Sequence, residues 1–167
     1  MSLPHRRTPY PFFWIITAAI IAADQISKLW ITTSLHYGQS IPIVGDWFHF
    51  TLVRNDGIAM GLFPGQNTLL LVLVTLILLS ALIWARKIPW ALKEINLLGA
   101  LILGGAIGNL IDRIRVGHVI DFIDITIFQF RWWTFNLADS AISIAVVWLL
   151  FRSWSPSFGQ LPRPPNA

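Results

Sequence analysis

The sequence predicts an all-α membrane protein with four transmembrane helices and a small β-sheet on the outer membrane face. Of the 167 residues, 55% are hydrophobic and only 12% are charged, and the mean hydropathy is +0.64. A soluble domain of this size needs more charged surface. The chain also contains apolar stretches of roughly 17 to 23 residues, long enough to cross a hydrocarbon layer about 30 Å thick. We therefore expect one integral membrane domain over residues 1–154.

The first predicted span covers about residues 12–34 and is interrupted only by Asp24, Gln25 and Lys28. Its first half also fits a secretory signal peptide, which has a basic start and a short apolar core. Apolar residues resume at helical spacing after Lys28, so the stretch has the length of a span rather than of a signal-peptide core. We expect a retained helix, with cleavage as the alternative.

Three further spans complete the predicted bundle. Residues 68–85 carry no charge in 18 residues and would extend about 27 Å as a helix. The third span, about 95–114, places Gly104 and Gly108 one helical turn apart. Such a groove lets a neighbouring helix approach closely. The fourth span, about 136–154, begins with polar residues and then becomes apolar.

Positive charge sets the predicted orientation. Seven of the twelve Lys and Arg residues fall on one side of the spans, which the positive-inside rule assigns to the cytoplasm. Both termini are then cytoplasmic, and the connections 36–67 and 115–135 face outward. Partial alternation near residues 47–53 predicts a short twisted sheet in the first connection. The proline-rich tail, 155–167, is predicted to be disordered.

Composition and motifs exclude several kinds of site. The chain has no cysteine, so it can hold no disulfide, zinc–thiolate site or cysteine nucleophile. Its basic residues are too scattered for a nucleic-acid surface. The four histidines show no metalloprotease pattern, and no serine-hydrolase motif is present. We expect no metal, no cofactor and no nucleic-acid partner.

The acidic residues are the informative ones, because an ionisable side chain inside a membrane must be paired, hydrated or functional. Five of them lie in spans or near their outer ends: Asp24, Asp112, Asp121, Asp124 and Asp139. Asp24 and Lys28 have the i,i+4 spacing of an ion pair, and a self-neutralising anchor would explain them. Asp112 and Arg113 fit a charged cluster at a helix end, meeting headgroups or a partner.

Asp121 and Asp139 have no such simple explanation. Asp121 lies in an apolar strip, and Asp139 lies one helical turn after Asn136 with no basic residue within seven positions. If the two carboxylates meet, like-charge repulsion separates their pKa values and keeps one protonated. One can then take a proton from water while the other donates one, as in aspartic proteases. Helix capping by Asp139 is the alternative.

Four stretches in this order resemble the bacterial lipoprotein signal peptidase (signal peptidase II) family over about residues 12–152. They are Asp24-Gln25-Ile26-Ser27-Lys28, Asn55-Asp56-Gly57-Ile58-Ala59, residues 104–113 running on to Gly117-His118-Val119-Ile120-Asp121-Phe122, and Phe135-Asn136-Leu137-Ala138-Asp139. The chain has Met60 where the family commonly has Phe, a change that affects local packing but not the chemistry.

The resemblance implies an intramembrane aspartyl endopeptidase of the bacterial cytoplasmic (inner) membrane, with its active site near the outer face. Its substrates would be diacylglyceryl-modified prolipoproteins, reached through membrane lipid and cut just before the lipidated cysteine. Globomycin would inhibit it, and the oligomeric state is left open. The resemblance also implies a short amphipathic helix on the outer leaflet.

The same resemblance assigns roles to individual residues. Asp121 and Asp139 match the catalytic dyad. The residues that would bind substrate or support the dyad are Asp24, Lys28, Asn55, Gly57, Asn109, Asp112, Arg113 and Asn136.

Two other functions fit a small membrane protein. An ion or proton carrier would use Asp24, Lys28, Asp112 and Asp139 as a relay, and it requires acids along the whole bilayer depth. A structural assembly factor held together by the glycine groove would leave the isolated carboxylates without a role.

Overall fold

The computed structural model describes residues 8–57, 65–128 and 130–154. It contains four α-helices: α1 (Pro11–Ser34), α2 (Asn67–Trp84), α3 (Lys93–Val116) and α4 (Leu137–Ser153). A 3-10 turn at Ala85–Lys87 follows α2. There are also four strands: β1 (Ser40–Val44), β2 (Phe48–Asn55), β3 (Val119–Ile127) and β4 (Phe130–Arg131). Each helix covers one of the four apolar stretches found in the sequence.

Three of these helices are long and apolar enough to cross a membrane, judged over the described residues: α1, α2 with its following turn, and α3. The 17 residues of α4 are slightly fewer than the roughly 20 that a span usually needs, so its crossing stays a prediction. Only 6% of the most apolar part of α2 is buried. This helix therefore presents nearly its whole apolar surface outward, as a lipid-facing helix does.

Glycines on α3 bring the helices close together. A Cβ atom at Gly104 would lie 2.8 Å from the Cβ of Ile20 on α1, and one at Gly105 would lie 2.5 Å from the carbonyl oxygen of Ala138 on α4. The predicted glycine groove is confirmed, and it admits two neighbouring helices rather than one. In α3, side chains at these positions would force the helices apart.

The sheet is antiparallel, in the order β1-β2-β3-β4. Phe50 pairs with Ile123 and Val53 with Asp121, so β2 has one more residue than β3 between these pairs. Such a bulge bends the strand, and here it accompanies the burial of two successive residues, Thr51 and Leu52. The prediction of a small sheet in the connection 36–67 is confirmed, although half of the strands come from the connection 115–135. The side of the membrane that the sheet faces stays a prediction.

The sheet is attached to the end of α1. Ile31 of α1 and Leu35, the residue that follows α1, pack against Leu52 of β2 and against Ile120 and Phe122 of β3. Because β3 follows α3 directly, this core fixes the depth of Asp121 relative to the helices.

Two predictions fall on residues outside the described ranges. In the connection 36–67, no described residue is helical before α2 begins at Asn67. Residues 58–64, which include Met60, lie outside the described residues. The predicted short outer helix therefore stays a prediction. The tail, 155–167, also lies outside the described residues.

Candidate active site

Two short connections bring Asp121 and Asp139, hereafter the aspartate pair, to the same end of the helices. Gly117 ends α3 with a φ of 78°, a left-handed cap that favours glycine, and β3 begins two residues later. Before α4, the carbonyl oxygen of Phe135 accepts the N–H groups of Phe122 and Ile123 at 3.0 and 2.7 Å. The start of α4 is thereby tied to β3.

Asn136 joins the two carboxyl groups. Its Nδ2 donates to Asp121 Oδ1 at 2.7 Å, and its Oδ1 accepts the Asp139 N–H at 2.9 Å. The Asp139 carboxyl in turn accepts the Asn136 N–H at 3.3 Å, which completes a capping box at the start of α4. The capping interpretation of Asp139 is therefore correct, and it coexists with the link to Asp121 through Asn136.

Asp121 is 1% exposed and receives a second hydrogen bond, from Asn55 Nδ2 at 2.8 Å. Burial and, to a smaller extent, the charge of Asp139 raise its pKa to about 7. The hydrogen bonds from Asn55 and Asn136 and the charge of Lys28 oppose this rise in pKa. Near neutral pH the Asp121 carboxyl is consequently close to half protonated, although its ordinary pKa is 3.8.

Behind the aspartate pair lies a fully buried ion cluster of Asp24, Lys28 and Asp112. Lys28 Nζ is 2.8 Å from an oxygen of each carboxylate, and all three residues are 0% exposed. Gln25 donates to both carboxylates, at 3.2 and 3.0 Å. The predicted Asp24–Lys28 pair is confirmed. A self-neutralising anchor is the wrong description, because Asp112 adds a second negative charge that the sequence spacing did not connect to it.

The ion cluster also holds the backbone beside the aspartate pair. Asp24 Oδ1 accepts the N–H of Ala138, the residue before Asp139, at 3.1 Å. Asp112 Oδ2 accepts the N–H of Ile120, the residue before Asp121, at 3.2 Å. Because Lys28 joins the two carboxylates, α1 and α3 together set the separation of the aspartate pair.

Asn109 provides a further link from the ion cluster to Asp139. Its Oδ1 accepts from Lys28 Nζ at 3.0 Å and from Asn136 Nδ2 at 3.1 Å. With its oxygen held in this way, its Nδ2 donates to Asp139 Oδ1 at 2.7 Å. The Lys28 ammonium therefore fixes which face of this amide meets Asp139.

Arg113 is not part of the cluster, although it neighbours Asp112 in sequence. Its Nη2 donates to the carbonyl oxygen of Gly57 at 2.6 Å, and its Nη1 donates to Asn67 Oδ1 at 3.2 Å. Asn55 Oδ1 accepts the Gly57 N–H at 3.0 Å. The headgroup interpretation of Asp112 and Arg113 is wrong, because both are buried and α3 continues past them to Val116.

The aspartate pair lines a cavity of about 590 Å³ between α2, α3, α4 and the sheet. Its other polar walls are Asn55, Asn109, Arg113, Thr134, Ser140 and Ser143, and its apolar walls include Val74, Ala106, Leu110, Trp132, Trp133 and Ile142. A cavity with two carboxyl groups on one side and apolar helix surfaces on the other suits a ligand that is partly polar and partly lipid-like.

Sequence reasoning missed Gln25 and Asn67 as members of the site. The signal for Gln25 was an uncharged polar residue beside Asp24 within an apolar span. Asn67 opens α2 as a polar residue before a long apolar run, and it contacts Arg113. Asp124, which was also singled out, is buried and accepts a hydrogen bond from Thr51. It is not among the residues that line the cavity.

At the opposite end of α3, Glu94 pairs with Arg152 at 3.0 Å. Residues 95–111 of α3 are described and include no ionisable side chain. From Glu94 to Asp112 the helix therefore runs about 27 Å with no group that could carry a proton relay. The distribution of charge on α3 disfavours a carrier that works along the whole bilayer depth.

Comparison with known proteins identifies relatives over most of the chain. The signal peptidase (SPase) II family matches residues 16–155. A lipoprotein signal peptidase of Moorella thermoacetica is 40% identical over 156 residues, 92% of this chain and 99% of that protein. Another, from Halothermothrix orenii, is 39% identical over 141 residues, 84% of this chain and 94% of that protein.

The fold is also similar to solved structures of bacterial membrane enzymes. One, solved by the in meso method at 2.3 Å resolution, has a TM-score of 0.83 at 27% identity and covers 97% of this chain and 99% of that chain. A second, solved at 1.9 Å resolution, has a TM-score of 0.81 at 28% identity and covers 92% of this chain and 99% of that chain.

Proposed function

Since this chain belongs to the signal peptidase II family, we propose that it is an intramembrane aspartyl endopeptidase that removes signal peptides from prolipoproteins. The family supports a membrane peptidase that acts on prolipoproteins. The aspartic type of the chemistry and the role of each residue rest on the geometry around the aspartate pair.

The substrate we propose is a diacylglyceryl-modified prolipoprotein, cut just before its lipidated cysteine. Its diacylglyceryl group lies in the bilayer, so the peptide must enter sideways. The cavity fits this requirement, because Val74 of α2 and Ile142 of α4 are apolar walls of the same cavity as the aspartate pair. In this proposal all four helices cross the bacterial inner membrane, both termini are cytoplasmic, and the cavity lies near the outer face.

The observation that carries the proposal is the link between the two carboxyl groups through Asn136, whose side chain donates to Asp121 and whose backbone N–H donates to Asp139. Asp139 is at the N-terminal turn of α4, where its carboxyl accepts hydrogen bonds from Asn109 and from the Asn136 N–H. Asp121 is in a strand and has a pKa raised to about 7. We propose that the pair holds one proton at rest, with Asp139 as the carboxylate and Asp121 as the protonated acid.

In the first step, Asp139 takes a proton from a water molecule as the water oxygen attacks the scissile carbonyl carbon. Asp121 gives its proton to the carbonyl oxygen, which leaves a neutral tetrahedral diol. In the second step, Asp139 donates its new proton to the amide nitrogen, the C–N bond breaks, and Asp121 recovers a proton from a hydroxyl of the diol. The dyad returns to its starting state, and no metal or cofactor takes part.

The test is cleavage of a purified diacylglyceryl prolipoprotein in detergent by the parent, Asp121→Asn and Asp139→Asn. We expect both variants to lose at least about 1000-fold in turnover, because general acid–base catalysis by one group contributes up to about 10⁴-fold and the two groups act together. Globomycin should inhibit the parent.

Asp124→Asn is the matched control, since it removes a buried carboxyl from the same strand outside the cavity. We expect this variant to cleave at close to the parent rate, because an asparagine oxygen can still accept the hydrogen bond from Thr51. Cleavage at the parent rate by either variant of the aspartate pair would contradict the proposed mechanism. A folded parent that leaves the prolipoprotein intact would contradict the proposed function.

A further inference from the structure

The hairpin of β3 and β4 carries exposed aromatic side chains that the proposed chemistry does not use: Phe128, Phe130, Trp132 and Trp133, here called the aromatic tip. Phe128 is 98% exposed, and the other three are between 43% and 56% exposed. Their ring centroids lie 6.2 to 6.4 Å apart in edge-to-face contacts among Phe130, Trp132 and Trp133. An exposed apolar patch of this kind marks a site of interaction.

The backbone at Phe128 is unfavourable for a phenylalanine. Its φ is +46°, and among the described residues it is the only non-glycine residue with a positive φ. A side chain with a Cβ atom is strained in this region, whereas glycine adopts it freely. Because the ring is almost fully exposed, packing within the chain does not offset the strain. The aromatic residue therefore contributes through a contact outside the chain.

The aromatic tip is continuous with a surface that faces lipid. Trp132 and Trp133 line the same cavity as Val74 of α2 and Ile142 of α4. Since α2 is long and apolar and has almost no protein cover, its surface at Val74 is in the bilayer. The aromatic tip lies beside it, at the end of the helices where the sheet begins.

The composition of the β3–β4 hairpin is typical of a segment at the membrane–water interface. Between Ile125 and Phe135 the only ionisable residue is Arg131. Aromatic rings concentrate at the membrane–water interface. The turn between β1 and β2 carries an exposed carboxylate, Asp46, beside the exposed ring of Trp47.

We propose that the aromatic tip inserts into the headgroup region of the adjacent phospholipid leaflet and holds the sheet at a fixed depth. β3 carries both the aromatic tip and Asp121, so the same contact sets the height of Asp121 relative to lipid. This proposal concerns binding to a bilayer and does not depend on peptidase activity.

The chain has no cysteine, so a single cysteine can report on each hairpin. Phe128→Cys and Asp46→Cys would be labelled with a nitrobenzoxadiazole dye and reconstituted in vesicles of phosphatidylcholine and phosphatidylglycerol. We expect the dye at 128 to be quenched by lipid that carries a nitroxide near its headgroup, and to be several-fold less sensitive to aqueous iodide than the dye at 46. Equal sensitivity to iodide at both positions would overturn the proposal.

A second copy of the chain is the competing occupant of the aromatic tip. To test this, Phe128→Cys chains labelled with a donor dye would be mixed with chains labelled with an acceptor dye in dilute detergent. Energy transfer between them, together with continued protection of the dye from iodide, would identify a dimer contact and overturn the proposal. The lipid contact predicts no transfer.

Phe128→Gly separates a membrane contact from a role in folding. Glycine adopts the observed φ without strain, so we expect the unfolding temperature in detergent to stay the same or to rise. With the ring absent, a dye at a cysteine replacing Thr126 on the same hairpin should become more sensitive to iodide in vesicles. A lower unfolding temperature would show that the ring supports the fold and would overturn the proposal, as would unchanged iodide sensitivity at 126.

Discussion

Asp121 carries the proton on which the proposed chemistry depends. Charged groups face it from three helices: Asp139 on α4, Lys28 on α1 and Arg113 on α3. Burial and the charge of Asp139 raise its pKa to about 7, although the charge of Lys28 acts to lower it. Since the mechanism needs this proton at rest, kcat/KM should begin to fall as pH rises through about 7. At higher pH it should fall by about tenfold for each pH unit. A pH–rate profile of the parent measures this limb, and a profile still level at pH 9 would contradict the assignment.

The same proton predicts how stability depends on pH. The unfolded chain ionises Asp121 near 3.8, whereas the folded chain does so near 7. Protonation therefore favours the folded state fully below about 3.8, and this contribution is lost as pH rises through about 7. Asp121→Asn removes a carboxylate that the fold disfavours, so it should raise the unfolding temperature at pH 8 but not at pH 4, even though it abolishes turnover.

The hydrogen bond from Ile120 to Asp112 makes Asp112 a positioning residue. Asp112→Ala removes the acceptor, and we expect kcat to fall about 100-fold with little change in KM, as for a catalytic group displaced by about 1 Å. Asp112→Asn should lose much less, because its oxygen can still accept this N–H, and Lys28 keeps a one-to-one pair with Asp24. Steady-state kinetics on folded protein measure the difference.

Glu94→Gln is the control for these variants, since it breaks an ion pair between α3 and α4 at the other end of the bundle. Its kcat should match the parent's. If Asp112→Ala lowered only the yield of folded protein, and kcat per folded molecule were unchanged, the role of Asp112 would be structural and the expectation would fail.

The glycines of α3 determine how closely the helices approach. A Cβ atom at Gly105 would sit 2.5 Å from the backbone oxygen of Ala138, and a backbone atom at the start of a helix cannot move aside cheaply. Gly105→Ala should therefore destabilise the fold by about 1–3 kcal/mol and displace the neighbouring Asp139. Thermal unfolding in detergent together with turnover measures both effects.

Gly99→Ala is the matched control on the same helix. Its Cβ would lie 3.2 Å from the edge of the Phe13 ring and in ordinary contact, 3.9 Å, with the Trp90 ring. A small movement of the Phe13 ring relieves the closer contact. Alanine also favours a helix interior by up to about 1 kcal/mol over glycine. Its unfolding temperature should be equal to or above that of the parent, and an equal loss for both variants would remove helix approach as the explanation.

For the whole molecule, the proposed topology of four crossings with both termini cytoplasmic puts the connection before α2 and the turn after α2 on opposite sides of the membrane. We expect Asp46→Cys to react with a membrane-impermeant maleimide from outside intact spheroplasts, and Lys87→Cys to react only after the membrane is opened. The absence of native cysteine makes each label specific. Labelling of both positions from the same side would mean that α2 does not cross the bilayer.

The number and position of the helices could be read from the sequence, because hydrophobic length and helical spacing are local properties of the chain. The Asp24–Lys28 pair follows from i,i+4 spacing in the same way. The acidic residues were informative for a similar reason, since the cost of burying a charge in a membrane does not depend on the rest of the fold.

The contacts that organise the site required the folded chain. Ala138 donates to Asp24 across 114 positions of sequence, and Asn55 donates to Asp121 across 66. The pairing of β2 with β3 and the addition of Asp112 to the ion cluster are of the same kind. No periodicity records such contacts, because they arise when helices and strands that are distant in sequence pack together. In this protein, local properties of the sequence therefore determine which side chains need partners, whereas packing between elements distant in sequence determines which partners they have.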